Sequence, residues 1–255
     1  MQTVRLNNNI EMPVLGLGTW KMSNAEATAS VRAALEAGYR HIDTAKLYGN
    51  ERGVGEGVRA SGIAREEIFV TTKLWPTDFF SPQAAFEKSI AELGFEYVDL
   101  YLVHWPIPLM PKSVWLTMET IYTSGRAKAI GVSNYDAADI EKLLEYATIS
   151  PAVNQIPFSP FDYDAGILEH CRSRRIAVEA YSPLTRGSRL GDATVGTIAK
   201  KYDKTAAQIM LRWCIEHGTT PLPKSSHPDR IRENADIFDF ALSAEDIATL
   251  DALSR

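Results

Sequence analysis

Val98-Asp-Leu-Tyr-Leu-Val-His104 reads as a strand that closes on one ionisable side chain. Two runs upstream have the same form, Tyr39-Arg-His-Ile-Asp43 and Ile68-Phe-Val-Thr-Thr-Lys73. Each is mostly apolar and β-branched until its end, and Tyr48 follows the first run by five residues. In a chain that alternates strands with helices, such ends converge on one rim, where barrel enzymes keep their chemistry. A carboxylate (Asp43), a phenol (Tyr48), an ammonium (Lys73) and an imidazole (His104) on one rim form a set of proton-transfer parts. No cysteine pair, acid pair or metal motif accompanies them.

The alternation continues in both directions. A hairpin opens the chain: Thr3 to Leu6, the turn Asn7-Asn8-Asn9, then Ile10 to Met12. Asparagine tolerates positive φ, so three in a row suit a tight turn. A strand over Val14 to Trp20 follows Pro13, and Ala25 to Ala37 has helical spacing that stops at Gly38. Further strands are expected near 39–43, 68–73, 98–104, 127–133, 152–156, 176–181 and 219–224. Helices are expected near 51–60, 82–93, 114–124, 136–147, 164–174, 192–218 (broken near Asp203-Lys204) and 228–236. These make eight β/α pairs, which implies parallel strands with helices outside. A last helix, Ala244 to Leu253, has Ser243 and Asp246 spaced as a variant capping box. No linker or repeat divides residues 1–255, so a single (β/α)8 TIM barrel with an N-terminal β-hairpin and an extra C-terminal helix is predicted.

An open doubly wound sheet would want Gly-x-Gly-x-x-Gly between the first strand and helix. Gly16-Leu-Gly18 stands there without a third glycine at that spacing. Gly53-Val-Gly55-Glu-Gly57 has the wrong spacing and lies inside a helical segment. Length agrees with the barrel, which needs ~250 residues; the chain has 255. A net charge of −5 and no basic stripe argue against nucleic acid. Cys171 and Cys214 make no disulfide framework, and the N-terminus lacks a signal-peptide layout. No run approaches the ~20 apolar residues of a membrane span. A cytoplasmic monomer is the expectation.

The chemistry follows from the parts. A free phenol has a pKa of about 10, and a nearby ammonium lowers it. Lys73 can supply that ammonium, Asp43 can aim it, and His104 can orient a substrate carbonyl. Such a site protonates a carbonyl oxygen while a hydride reaches carbon. Each residue also has an ordinary reading, as a turn cap, a paired buried group or a loop anchor. Trp20, Trp75 and Trp105 follow the first, third and fourth barrel strands and can wall an apolar pocket; loop packing is their other reading. Trp115 and Trp213 fall at helical positions and are expected in the core.

Gly38-Tyr-Arg-His-Ile-Asp-Thr-Ala45 with Tyr48-Gly-Asn-Glu51 resembles the aldo-keto reductase signature. Leu102-Val-His-Trp-Pro106, Ile130-Gly-Val-Ser-Asn134 and Leu222-Pro-Lys-Ser225 with Arg230-Ile-Arg-Glu-Asn234 resemble later signatures of that family, in the same order along the chain. The resemblance implies an NADPH-dependent carbonyl reductase acting on a small-molecule carbonyl, with Tyr48 as proton donor and Asp43, Lys73 and His104 as its partners. It also implies that Ser133, Asn134 and Gln155 hold the nicotinamide carboxamide and that Tyr181 stacks on the ring. Ser182 and Leu184 then reach the pyrophosphate. Lys224, Ser225 and Arg230 surround the adenosine 2′-phosphate, and Glu233 and Asn234 meet the adenine. Two cations beside a helix N-terminus also make physical sense as a phosphate site.

The chain departs from the family pattern in places. Pro157 and Ser159 stand where Glu and His are usual, and Lys46 stands where a small residue is common. The segment between Pro106 and Trp115 is short, and the sequence stops at Arg255, where many relatives continue into a tail over the pocket. These departures bear on substrate range and leave the tetrad intact. Two other functions compete with the reductase. One is an NADPH-binding redox-sensing or channel-associated module with incidental turnover. The other is a metal-dependent barrel hydrolase, which would want paired histidines; the five histidines are scattered.

Overall fold

The computed structural model describes residues 2–108 and 110–254. Met1, Leu109, in the segment after Pro106, and Arg255 lie outside the described residues. Strands β1 (Thr3–Arg5) and β2 (Glu11–Pro13) form the antiparallel hairpin, with Val4 opposite Met12. Asn9 supplies the left-handed residue of its turn, φ 68°. Eight parallel strands follow: β3 (Leu17–Gly18), β4 (His41–Asp43), β5 (Phe69–Leu74), β6 (Val98–Val103), β7 (Ala127–Ser133), β8 (Val153–Pro157), β9 (Ala177–Tyr181) and β10 (Thr220–Leu222). Each pairs with the next in sequence. The first and last strands are joined by Gly16 N–H to the Pro221 carbonyl, 3.1 Å, and Gly18 N–H to the Pro223 carbonyl, 3.0 Å. These bonds close the (β/α)8 barrel.

Gly16 and Gly18 are present for this closure. A Cβ on Gly16 would lie 2.6 Å from the Leu222 side chain, and one on Gly18 would lie 2.9 Å from the Leu222 carbonyl oxygen. Side-chain parity then sorts each strand. Ile42, Val70, Tyr101, Val103 and Val132 belong to the large apolar cluster that the helices cover. Asp43 on β4 and Gln155 on β8 lie four strands apart, yet they touch at 2.8 Å, so both point into the barrel. The hairpin plugs the opposite end: Leu6 and Met12 pack with Phe69, Leu100, Leu102, Ala129 and Val153.

The helices are α1 (Asn24–Glu36), α2 (Glu51–Ala60), α3 (Pro82–Leu93), α4 (Lys112–Thr123), α5 (Ala137–Leu144), α6 (Ala165–Ser173), α7 (Ala193–Tyr202), α8 (Ala206–Glu216), α9 (Pro228–Ala235) and α10 (Ala244–Asp251). A reciprocal Ser23/Glu26 capping box starts α1, and Gly38, φ 93°, ends its turn. The expected break after α7 occurs at Asp203, φ 52°, before Thr205 caps α8. The glycines of α2 are packing residues. A Cβ on Gly53 would meet the Asn24 carbonyl oxygen at 2.2 Å, and one on Gly55 would meet the Leu93 carbonyl oxygen at 1.9 Å. They let α2 lie against the backbones of α1 and α3.

Several expectations are corrected. The strand expected over 14–20 is regular only at Leu17–Gly18, with single backbone bonds from Gly16 and Thr19 beside it, and the strand expected from 39 begins at His41, because Gly38 and its neighbours still close the helix. The box expected at Ser243 is half formed. Ser243 accepts from Asp246 N–H and its hydroxyl donates to the Asp246 carboxylate at 2.6 Å, but the Ser243 N–H donates to the Tyr202 hydroxyl, and the same carboxylate oxygen also accepts from Lys201 and Tyr202. Trp115 and Trp213 are fully buried, and both cysteines are free and buried.

Candidate active site

The ends of β4, β5 and β6 bring Asp43, Lys73 and His104 to one rim, and a short 3-10 turn, Lys46–Tyr48, adds the phenol. The local sequence dictates that turn. Gly49, φ 69°, ends it in a conformation that a side chain would resist. Asn50 is fully buried. It accepts from the Thr44 hydroxyl at 2.7 Å and donates to the carbonyls of Thr19 and Met22 at 2.9 and 3.1 Å. Glu51 accepts from Thr72 at 2.5 Å. The Tyr-Gly-Asn-Glu motif is thus a clamp that fixes the phenol against the barrel.

Lys73 is completely buried. Its Nζ donates to both Asp43 carboxylate oxygens at 2.7 Å, to the Thr44 carbonyl at 2.9 Å and to the Tyr48 hydroxyl at 3.4 Å. Burial lowers its pKa, but the Asp43 charge and the Tyr48 and Glu179 groups carry it above the ordinary value. The lowered phenol expected from the sequence does not appear as a net effect. Burial raises the Tyr48 pKa more than Lys73 lowers it, and Asp43 adds to the rise. Burial, helped by the Lys73 charge, pushes His104 down to about 3, so its imidazole is neutral at neutral pH. Its Nδ1 has no hydrogen-bond partner among the described residues.

The tryptophans divide. The Trp20 ring lies 4.8 Å from Tyr48, and the Trp75 ring lies 5.0 Å from His104, edge on. Trp105 makes no ring contact with the tetrad or the other two among the described residues, and it is 47% exposed. Lys46, the unexpected cation, forms an ion pair with Asp78, which ties the Tyr48 turn to the segment after Trp75.

Around the rim stand the residues expected to hold a dinucleotide. The Ser133 hydroxyl donates to the Gln155 carbonyl at 2.8 Å. Asn134, at φ 64°, donates to the His104 carbonyl at 3.0 Å and accepts from the Tyr181 hydroxyl at 2.8 Å. Gln155 donates to Asp43 and to Glu179, a buried acid that the sequence reading missed. Ser182, Thr185, Arg186 and Gly187 all have positive φ, and Leu184 lies between them. The turn is held by its own backbone, with Thr185 N–H on the Ser182 carbonyl at 2.9 Å and Gly187 N–H on the Leu184 carbonyl at 2.7 Å. Ser225 is buried, and its hydroxyl accepts from His227 N–H, shaping the turn into α9. Lys224 and Arg230 are exposed and neither forms an ion pair with a described residue. Among the described residues, the first turn of α9 has no side-chain cap. Two exposed cations beside this helix start fit a phosphate, although the Lys224 charge also acts on Glu26. Glu233 is engaged by the Thr205 hydroxyl at 2.6 Å, while Asn234 is buried beside it. Among the described residues, no group of three or more His, Cys, Asp or Glu side chains could hold a metal ion.

A closed (β/α)8 barrel with proton-transfer groups on its C-terminal rim defines the class, a barrel enzyme. Residues 14–255 match the family model described as Aldo/keto reductase family. The chain is 47% identical to glyoxal reductase of Bacillus subtilis over 256 residues, covering 99% of this chain and 93% of that one. The crystal structure of an aldo/keto reductase from Brucella melitensis superposes with a TM-score of 0.94 at 46% identity, covering 99% of both chains. A Bombyx mori aldo-keto reductase in complex with NADP superposes with a TM-score of 0.93 at 37% identity, covering 99% of this chain and 92% of that one. The chain belongs to the aldo/keto reductase family. It is an NADP-dependent oxidoreductase of carbonyl compounds.

Proposed function

We propose that the protein, as one catalytic domain over residues 1–255, reduces small aldehydes, α-dicarbonyls and ketones to alcohols, with Tyr48 as the proton donor. NADPH, when bound, supplies the hydride. The observation that carries the reading is the Lys73 ammonium set between the Asp43 carboxylate and the Tyr48 hydroxyl. Tyr48 keeps its proton at neutral pH and is the acid form that a carbonyl oxygen needs. As that proton leaves, the adjacent ammonium stabilises the phenolate left behind. Asp43 holds the ammonium in place. His104 is neutral, so it orients the carbonyl by a hydrogen bond and does not supply the proton.

Ser133, Asn134, Gln155 and Tyr181 surround the nicotinamide in this reading. Ser182 and Leu184 take the pyrophosphate, Lys224, Ser225 and Arg230 the 2′-phosphate, and Glu233 and Asn234 the adenine. Trp20, Trp75 and Trp105 wall the substrate pocket. A dicarbonyl substrate is supported by the similarity to glyoxal reductase. A permissive pocket is supported by the rim, where Trp20, Leu47 and Trp105 are all at least 40% exposed. We place the protein as a monomer in the cytoplasm; no helix among the described residues is long and apolar enough to cross a membrane.

NADPH oxidation with glyoxal, methylglyoxal, aromatic aldehydes and simple ketones tests the reading. Turnover spread over several of these is expected. Tight NADPH binding without turnover of any carbonyl would favour the binding-module alternative.

A further inference from the structure

Below the rim, the barrel interior holds polar groups that proton donation by Tyr48 does not use. Glu179 is fully buried on β9, in register with Gln155 on β8. The Gln155 amide nitrogen lies 2.8 Å from Asp43 Oδ2 and 2.7 Å from Glu179 Oε2. An amide has two N–H donors, so both are spent, one on each carboxyl group. The second oxygen of Glu179, Oε1, has no hydrogen-bond partner among the described residues and lies 3.5 Å from Nε2 of His41.

This is a poor setting for an anion. A buried carboxylate with one neutral donor and one empty oxygen takes up a proton in preference to staying charged. The ammonium that could neutralise it, Lys73, is spent on both oxygens of Asp43. His41 is no counter-ion, because burial holds its imidazole neutral, down to about 3. As the acid, Glu179 would carry its proton on Oε1, toward His41 Nε2, which also meets the Thr71 hydroxyl at 3.2 Å. Burial and the Asp43 charge push its pKa up to about 8, against the Gln155 hydrogen bond and the Lys73 charge.

We propose that Glu179 stands as a neutral acid at neutral pH and is a positioning residue for the tetrad. Through the Gln155 amide it fixes Asp43, and with it the Lys73 ammonium beneath Tyr48, without adding a second negative charge to that layer. The groups that face it are His41 and Asp43 from β4, Lys73 from β5, and Tyr48 beyond Lys73. β8 contributes the Gln155 amide and β10 no titratable side chain. Loss of the Glu179 proton would place a charge beside Asp43, draw the field of Lys73 away from Tyr48, and make the phenol a weaker acid. Carbonyl reduction should therefore decline as pH rises through about 8.

The inference rests on the reductase reading of the rim, but one of its tests needs no turnover. Infrared difference spectra of the whole protein, taken as pH is raised through 8, should show a carboxylic acid C=O band disappear. That band should be absent from Glu179→Gln. In kinetics, Glu179→Ala should lower kcat by up to about tenfold, the scale of one neutral hydrogen bond. Glu179→Gln, which keeps the acid's shape, should restore most of that loss and shift the alkaline limb of kcat upward. Three results would overturn the proposal. These are a spectrum without the band, a Glu179→Gln variant as impaired as Glu179→Ala, or an unchanged alkaline limb in Glu179→Gln. The spectrum and the Glu179→Gln profile decide the matter even if Glu179→Ala does not fold. A silent rim with an intact band would refute the reductase reading alone.

Discussion

Asp43 and Gln155 meet across the barrel at 2.8 Å although they are 112 residues apart in the chain. That contact joins the tetrad to a buried layer of His41, Gln155 and Glu179. The titration of this layer should govern how stability changes with pH. His41 and His104 are held neutral in the folded chain, at about 3, against an ordinary 6.5. Below 6.5 the unfolded chain therefore binds more protons, and stability is lost as pH falls from there toward 3. Glu179 acts with the opposite sign. It keeps its proton to about 8 when folded and to 4.5 when unfolded, so stability falls as pH rises through that window. Two histidines outweigh one carboxyl below 6.5, and only Glu179 titrates above it. For these groups, a stability maximum near pH 6.5 is expected in urea unfolding. Glu179→Gln should abolish the alkaline decline, and a wild-type stability that climbs steadily to pH 8 would count against it.

Lys224 and Arg230 should carry the preference for NADPH over NADH. A charge-assisted hydrogen bond is worth about 1.5–3 kcal/mol, so losing one should weaken NADPH by roughly tenfold or more. Lys224→Ala and Arg230→Ala should leave NADH affinity nearly unchanged. Fluorescence titration with both cofactors checks this, and equal weakening of the two would misplace the 2′-phosphate.

Gly55→Ala should destabilise the fold while leaving NADPH affinity alone. The new methyl would sit 1.9 Å from the Leu93 carbonyl oxygen, so α2 must move away from α3. Overpacking of this kind costs about 1–3 kcal/mol. Thermal unfolding and a cofactor titration on the same sample separate packing from binding. A variant with normal stability and poor NADPH binding would make these glycines a nucleotide site after all.

Trp20→Ala should change substrate preference more than cofactor affinity, because its ring packs on Tyr48 at 4.8 Å and it remains 40% exposed at the rim. Specificity is a difference of affinities, and a rim with few walls rejects little. A panel of aromatic and small aliphatic carbonyls should show the ranking shift. One carbonyl favoured by wild type over close analogues by several orders of magnitude would refute the permissive pocket.

Most of the barrel was legible because strand and helix periodicities differ and the chain alternates them strictly. The tetrad was legible because each member ends a strand or follows one closely. Three features were not. The first strand is regular only at Leu17–Gly18, and closure runs through Gly16 and Gly18; a single strand's sequence does not show which residues its last partner reaches. The Tyr48 pKa moves up because burial exceeds the ammonium's pull, and burial is a property of the closed site. Glu179 reads as a charged residue in Val178-Glu-Ala180, which suggests a solvent face. The available signal was parity: Glu179 lies two residues before Tyr181, on the same inward side. Its contact with Gln155, and through it Asp43, exists only once eight strands surround it.

Proton donation by the Tyr48 hydroxyl is tested most sharply by removing that hydroxyl alone. Tyr48→Phe removes one oxygen and keeps the ring against Trp20. Its kcat for carbonyl reduction should fall by about 10²–10⁴-fold, the usual worth of general acid help, with NADPH affinity nearly intact. A Tyr48→Phe enzyme that binds NADPH and turns over carbonyls at a near-normal rate would contradict the account.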